Sequence, residues 1–378
     1  MYIYCIKYYT MPKYIYQQPD WPHFYWDEST ELTSLLIDIA NMQGKLMGKM
    51  DALGFNLKAE ASLEIISQDV IKSSDIEGEV LNPQQVRSSV AIRLGVDIPG
   101  LILSDKKVDG VVDLMLDATQ NFNKPLTADR LFGWHHSLFP TGRSGLYTIT
   151  AGGWRNDSAG PMQVISGGYG KQQVHYQAPD ATVLDTEMAK FITWFNDNTF
   201  ANPVIKAAIA HFWFVTIHPF DDGNGRIARA IADMQLARAD GIPQRYYSMS
   251  AQIQKHRNGY YDILEKTQKN TLNITLWITW FLQRLKDALS ASAEITGSVL
   301  FKHNFWVTVS GKLQNERQRF MLDKLLTNFE GNLIAAKWAK MCKCSADTAL
   351  RDINSLIENN ILRKSEAGGR STSYELVK

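Results

Sequence analysis

The chain is poor in cysteine, with only Cys5, Cys342 and Cys344 among 378 residues. An odd number, two of them nearly adjacent, excludes a readable disulfide framework and points to a reducing compartment. Cys342-Lys343-Cys344 also lacks the second ligand pair of a zinc site, so these thiols read as turn and core residues. Long apolar runs are missing as well. No stretch approaches the ~18 unbroken apolar residues of a membrane helix, and the first ten residues have no apolar core of the kind a signal peptide needs. No membrane partner is expected, and the location is read as cytoplasmic. The residues before Met11 read as dispensable or as upstream of the natural start. There is no excess of charge of either sign: 40 Lys+Arg against 39 Asp+Glu leave +1. Bulk electrostatics therefore nominate neither nucleic acid nor membrane. Only the tail, Gly311 to Lys378, leans basic, with 12 Lys/Arg and 8 Asp/Glu. No internal repeat is visible.

What is present is an ordinary globular composition, 45% hydrophobic and 21% charged, at a length that fits two or three domains. The fold class is mainly α. Residues 11–100 read as an N-terminal helical region, 101–295 as a helical core and 311–378 as a separate C-terminal domain. An aromatic, proline-marked arm (Tyr14, Trp21, Phe24 and Trp26 among others) is expected to pack on the helical body. Leu32, Leu35, Leu36, Ile39 and Met42 recur at helical spacing. Leu63, Ile66, Val70 and Ile71 continue the pattern until Gly78 and Asn82-Pro83 punctuate it. Helices are predicted over 108–121, 127–139, 185–199, 203–217, 225–240, 256–266 and 274–289. Between 139 and 185 the texture changes. Glycines, including Gly167, Gly168 and Gly170, bracket Met162 to Ile165 and Gln173 to Tyr176, which read as a β-hairpin.

Chemistry concentrates in His218-Pro219-Phe220-Asp221-Asp222-Gly223-Asn224-Gly225-Arg226-Ile227-Ala228-Arg229. The preceding helix is apolar enough to be core, and Pro219 ends it, leaving His218 at a helix exit. Phe220 is the apolar peg of the next loop. Gly223-Asn224-Gly225 lets backbone approach a ligand closely. The following helix then aims free amides and its positive end at the same place, an anion site. Arg226 and Arg229 share a helical face and suit phosphate through their planar forks. Asp222 beside a polyphosphate is the usual arrangement for magnesium. The set fits phosphoryl or nucleotidyl transfer, with His218 as general base.

These residues resemble the Fic family, whose motif His-x-Phe-x-Asp/Glu-Gly-Asn-Gly-Arg-x-x-Arg is matched at every specified position. The resemblance implies a helical core with a β-hairpin flap and transfer of AMP from ATP to a Ser, Thr or Tyr hydroxyl of a protein target, which includes the protein itself. It implies that His218 deprotonates the hydroxyl and that Asp222 holds Mg2+. The run Gly223 to Arg229, Ile227 and Ala228 included, then binds ATP: Gly223 to Gly225 form the anion hole, Asn224 also reaches phosphate, Arg226 takes the β-phosphate and Arg229 the γ-phosphate. Family members acting as kinases carry Lys where Gly225 stands, so that branch is disfavoured. Val164, Ile165 and Val174 fall in the flap, which aligns a target by strand addition. Tyr260-Tyr261 falls where the family often has tyrosines near adenine, although amphipathic packing explains the pair equally well.

Upstream, Ser73-Ser74-Asp75-Ile76-Glu77-Gly78 resembles the family's inhibitory motif Ser/Thr-x-x-x-Glu-Gly/Asn. It implies that Glu77 pairs with Arg229 and displaces the γ-phosphate, with Ser73 one helical turn away. Another donor, such as UMP or phosphocholine, or removal of AMP stays open, because the motif reads phosphates and not the base or the target.

In the tail, helices over 315–326, 335–341 and 345–359 precede short strands at Ile361-Leu362 and Tyr374 to Leu376, with a loop at Gly368-Gly369-Arg370. That is the order of a winged helix-turn-helix. Arg351, Arg363, Lys364 and Arg370 are placed to meet phosphates, so DNA is a second partner class. Protein docking or a homodimer suits the modest charge better. His135-His136 receives no role, and His211 reads as helix packing.

Overall fold

In the computed structural model, residues 13–52, 55–167, 172–327, 329–365 and 372–377 are described. Cys5, Gly168, Gly170 and Gly368 to Arg370 lie outside them.

Ser29 opens α1 (Thr30–Asp51) by accepting from the Leu32 amide at 3.1 Å. α2 (Phe55–Ile76) and α3 (Pro83–Leu94) follow. Asn82 caps α3, which starts on Pro83 and stops at Gly95 in the left-handed region. α4 (Lys106–Gln120) and α5 (Ala128–Leu138) lead to a short hairpin, β1 (Arg143–Ser144) with β2 (Tyr147–Thr148). A second antiparallel hairpin pairs β3 (Gln163–Ser166) with β4 (Gln173–Gln177). Then come α6 (Leu184–Asn196), α7 (Pro203–Ile217), α8 (Asn224–Asp240), α9 (Met249–Lys255), α10 (Arg257–Gln268) and α11 (Thr275–Val309). The chain closes with α12 (Glu316–Thr327), α13 (Ala335–Cys342), α14 (Ala346–Glu358) and the antiparallel pair β5 (Leu362–Lys364) and β6 (Tyr374–Leu376). The architecture is mainly helical, as expected. Among the described residues no helix is long and apolar enough to cross a membrane.

Three elements differ from expectation. α11 runs on to Val309 instead of stopping near Leu289, since nothing between those residues except Gly297 opposes a helix. α9, seven residues long and capped by Ser248, and the β1–β2 hairpin are too short to leave a periodic signal. The chain divides into two compact units, one up to Thr296 and one from Gly297.

In the first unit α7 is the central element. Every residue from Val204 to Ile217 is buried, as expected of a helix that is apolar all round. α8 packs along it, α2 packs on α3 and α9, and α4 packs on α5 and α8. The N-terminal helices thus share a unit with the core. The aromatic arm does pack on this body: Trp21 and Phe24 meet Trp213 edge-on, with ring centroids 6.2 and 5.8 Å away. Tyr14 meets Tyr176 at 5.2 Å. In the second unit Trp338, Met321, Leu322, Ile353 and Leu356 form a core with Tyr374, and Asp352 receives Arg317 and Asn315. Arg351 is exposed, whereas Arg363 donates to Glu375 across the β5–β6 pair at 2.7 Å.

The start of α7 depends on Asn202, whose carboxamide oxygen accepts from the Val204 and Ile205 amides at 3.0 Å each. Replacing it by alanine should lower the unfolding free energy by about 1 kcal/mol, read as a lower urea midpoint at unchanged slope.

Candidate active site

α7 ends at His218, which adopts a left-handed conformation (φ 53°) and turns the chain into the loop. The turn is fixed from outside: Arg155 donates from Nε to the His218 carbonyl at 2.8 Å, and its own amide donates to the Pro219 carbonyl at 3.0 Å. Arg155 is buried and also bonds Asp157 and the Pro179 carbonyl. Within the loop, Phe220 is fully buried. Its ring stacks on His135 at 4.2 Å and 9°. The Asn224 carboxamide accepts from the Phe220 amide at 3.0 Å and donates to the Phe220 carbonyl at 2.8 Å. Asn224, one of the expected phosphate-site residues, is thus tied into the loop and also lines the cavity described below. It clasps the loop, leaving the helix start to present backbone.

Gly223 is the N-cap of α8, with φ 79°. A Cβ there would lie 2.9 Å from the Phe139 ring, so both conformation and space require glycine. A Cβ on Gly225 would lie 2.2 Å from Glu77 Oε1. The Glu77 carboxylate therefore sits directly over the first turn of α8, where the helix dipole favours an anion.

Glu77 arrives there through a helix-ending turn. The Gly78 amide donates to Asp75 and the Glu79 amide to Ser74, with Gly78 at φ 79°. That is the Schellman arrangement, and it needs the left-handed glycine. Arg229, 1% exposed, donates from Nε to Ser73 Oγ and from Nη2 to the Ser73 carbonyl, each at 2.9 Å, and from Nη2 to Glu77 Oε1 at 2.8 Å. Its Nη1 has no partner among the described residues. Ser73, Glu77 and Arg229 are thus brought together. The same turn delivers Glu79, which accepts from Arg226 Nη1 at 2.7 Å and also meets Lys107 at 3.2 Å. Glu79 was not singled out from sequence; the Glu-Gly-Glu run was the available signal. Both arginines are held by acids two residues apart.

The His218 Nδ1 lies 3.2 Å from the Val215 carbonyl. A carbonyl only accepts, so Nδ1 carries the hydrogen and Nε2 keeps its lone pair. Burial pushes this imidazole down to about 4, with Arg155 helping and Val215, Glu77 and Asp222 opposing. Asp222 receives the Ser144 hydroxyl on Oδ2, while Asp221 Oδ2 accepts from the Thr150 amide at 2.8 Å. His135 supports the same loop. Its Nδ1 accepts from the Gly152 amide at 3.1 Å, so its Nε2–H donates to the Asp222 carbonyl at 3.2 Å. Burial pushes it too down to about 4. Neither His135, Ser144 nor Arg155 was legible as a site residue, since each is a lone polar residue far along the chain.

A cavity of about 650 Å³ joins these groups. Glu77, His218, Asp222, Gly223 and Gly225 line it on one side, and Val164, Ile165 and Tyr261 on others. Val164 is half-buried, and Ile165 and Val174 are exposed. The expected nucleotide-binding residues Ile227 and Ala228 do not line this cavity. They are fully buried on the inward side of α8, and the Ile227 amide already donates to Gly223. Tyr260 is 1% exposed, with its hydroxyl 2.9 Å from His211 Nε2 and its ring among Trp277 and Trp280. Helix packing explains Ile227 and Ala228, whereas Tyr260 packs among these rings and also lines the cavity. Tyr261 instead donates to the Ile76 carbonyl at 3.3 Å, beside Arg257, which donates there at 2.6 Å.

Asp222 offers one carboxylate at the rim of this cavity. Magnesium commonly takes one or two carboxylates and completes its shell with phosphate oxygens and water, so the donor set fits a metal brought with a polyphosphate. Among the described residues no group of three His, Cys, Asp or Glu forms a metal cage by itself.

Comparison with known proteins agrees with this geometry. Residues 125–236 match the Fic/DOC family, and residues 14–96 match a domain of unknown function (DUF4172). The matched segment includes the loop that builds the site, and the fold is of the Fic type. The chain is similar to the protein adenylyltransferase Fic of Culex quinquefasciatus, at 29% identity over 277 residues, or 67% of this chain and 50% of that protein. It is also similar to the Aedes aegypti protein of the same name, at 29% over 243 residues, 58% of this chain and 43% of that protein. The chain thus spans about half the length of these curated relatives or less. In fold it resembles a Fic family protein from Desulfovibrio desulfuricans G20, with TM-score 0.52 and 20% identity, over 93% of this chain and 97% of that one.

Burial also sets an acid limit on the fold. His135 and His218 are held near 4 and His211 near 3, against an ordinary 6.5. Below about pH 6.5 the unfolded chain takes protons that these folded rings refuse, so stability falls as pH drops from 6.5 towards 4 and is flat above 7. Urea unfolding at half-unit pH steps should trace that fall, and His211→Gln should flatten it.

Proposed function

We propose that the protein is an adenylyltransferase that moves AMP from ATP onto a Ser, Thr or Tyr hydroxyl of a protein, and that its own N-terminal segment holds it off. The observation that carries this reading is the Glu77 carboxylate bonded to Arg229 and seated over Gly225. An acid in that seat marks it as an anion site, and a γ-phosphate cannot share it. The unpartnered Nη1 of Arg229 and Nε of Arg226 are further buried donors suited to phosphate oxygens.

In this reading the amides at the start of α8 hold the phosphates, Arg226 takes the β-phosphate and Arg229 the γ-phosphate. Asp222 would hold Mg2+, which supplies charge neutralisation when bound. His218 Nε2 accepts the proton of the target hydroxyl as its oxygen attacks the α-phosphorus and pyrophosphate leaves. Arg155 and Val215 fix the ring, and the β3–β4 hairpin offers an edge to a target segment. With Glu77 in place, ATP enters without its γ-phosphate anchored, and the α-phosphorus is misaligned. The names of the similar adenylyltransferases support the donor. We read the second unit as a winged helix-turn-helix; the Arg363–Glu375 pair favours protein docking over DNA.

Glu77→Gly should raise transfer of α-phosphate label from ATP to protein by roughly 10²-fold, the scale of a corrected ångström-level misplacement. Adding His218→Ala should abolish it, and label from the γ-phosphate should never appear on protein. Equal labelling by wild type and Glu77→Gly would remove the brake and leave the transferase. No α-label from either would remove both. Because His218 is held near 4, the rate of the Glu77→Gly protein should show no acid limb near pH 6.5 and should decline only as pH approaches 4. A limb at 6.5 would contradict a buried neutral base.

A further inference from the structure

A second cavity, of about 1170 Å³, lies between the aromatic arm and α6, and it shares no lining residue with the cavity at His218. Its rings touch in series. Trp26 meets Phe200 with centroids 6.3 Å apart, Phe200 meets Trp194 at 5.9 Å, and Trp194 meets Trp213 at 5.2 Å, which in turn meets Trp21 and Phe24. α6 contributes Thr186, Ala189 and Thr193, small residues on one helical face that leave the groove wide. The arm is fixed in place. The Tyr25 amide donates to Leu272 at 3.1 Å and its carbonyl accepts from Ile274 at 2.9 Å. Trp21 donates from Nε1 to Glu187 Oε2 at 2.6 Å.

Two features of this groove find no answer within the protein. The indole N–H groups of Trp26 and Trp194, both half-buried, have no acceptor among the described residues, and that of Trp213 is buried without one. A tryptophan so placed ordinarily finds a partner. The free charge at the rim also has one sign. Lys190 is taken by Glu187 at 2.9 Å, which leaves the exposed carboxylates of Asp185 and Asp197. The arm adds Asp20, Asp27 and Glu28, and no Lys or Arg occurs from Tyr14 to Gly44.

These features select among occupants. A helical segment spends its carbonyls internally. A polyproline II segment keeps all of its carbonyls free and is recognised by aromatic-lined grooves. Basic residues beside the prolines complement the rim carboxylates and the ring faces. The groove also exceeds the ~300–1,000 Å³ of a usual small-molecule site, which suits an extended segment. We propose that it docks a proline-rich segment of a partner protein, flanked by Lys or Arg and held in the polyproline II conformation. Pyrrolidine rings pack on the aromatic series, Trp26 and Trp194 donate to carbonyls of the segment, and Asp185 and Asp197 pair with its basic flanks. The inference does not depend on the transferase reading, since it involves no nucleotide and no residue of the loop at His218.

The test titrates an arginine-flanked oligoproline peptide into the full-length protein without nucleotide, read by calorimetry and by tryptophan fluorescence. One peptide should bind per chain. A Gly-Ser peptide of the same length and flanks, and an oligoproline without the arginines, should each bind at least about tenfold more weakly. Trp26→Ala, and Trp194→Phe, which keeps a ring but removes the donor, should each weaken binding by a similar factor. Asp185→Asn should weaken it and make it less sensitive to salt. Far-UV circular dichroism checks that each variant is folded. No binding up to about 1 mM peptide, equal binding of the Gly-Ser control, or binding unchanged in both tryptophan variants overturns the inference. So does a concentration-dependent dimer that Trp26→Ala abolishes, because a second copy then occupies the groove. Transfer of α-label by the Glu77→Gly protein is read separately, so either reading can fail alone.

Discussion

A buried arginine facing a carboxylate organises the first unit. Arg229 is 1% exposed and meets Ser73 and Glu77 from a segment 152 residues away in sequence. Such a charge cannot stand alone in the interior, and removing one partner of a buried pair leaves the other uncompensated. The guanidinium thus needs an anion, whether the protein's own or a ligand's. In the proposed reading one requirement links stability to binding: whatever takes Glu77 away makes the pocket more receptive to phosphate.

The loop around it is rigid for separate reasons that converge. Phe220 fills a core position, Asn224 ties the loop ends, Gly223 supplies the left-handed turn, and Arg155 holds the His218 and Pro219 carbonyls. In the proposed reading the acid-bearing turn at Gly78 is what gives way, held by Arg257 and Tyr261 on the Ile76 carbonyl and by Lys107 on Glu79. Each of these is a polar contact at the rim, which suits a latch better than apolar packing does.

Much of this was legible in the sequence where the constraint was local. The helix exit, glycine turn and helix start of the loop lie within twelve consecutive residues, and the long helices declare themselves by periodicity. The mainly helical class followed from the same patterns. Residues whose partners are remote were not legible. Glu79 meets Arg226 across 147 positions, His135 meets Asp222 across 87, and Arg155 meets His218 across 63. A contiguous motif also over-assigns. A helix turns about 100° per residue, so Ile227 and Ala228 cannot face the cavity that Arg226 and Arg229 serve. Tyr260 packs in the core and still lines the cavity beside Tyr261.

The most direct measurement is a crystal structure of the Glu77→Gly protein with magnesium and a non-hydrolysable ATP analogue. The account predicts terminal phosphate oxygens on Arg229, the α-phosphate at the amides that begin α8, and His218 Nε2 facing the α-phosphorus. A nucleotide bound elsewhere, with Arg229 left on Ser73 alone, would contradict it.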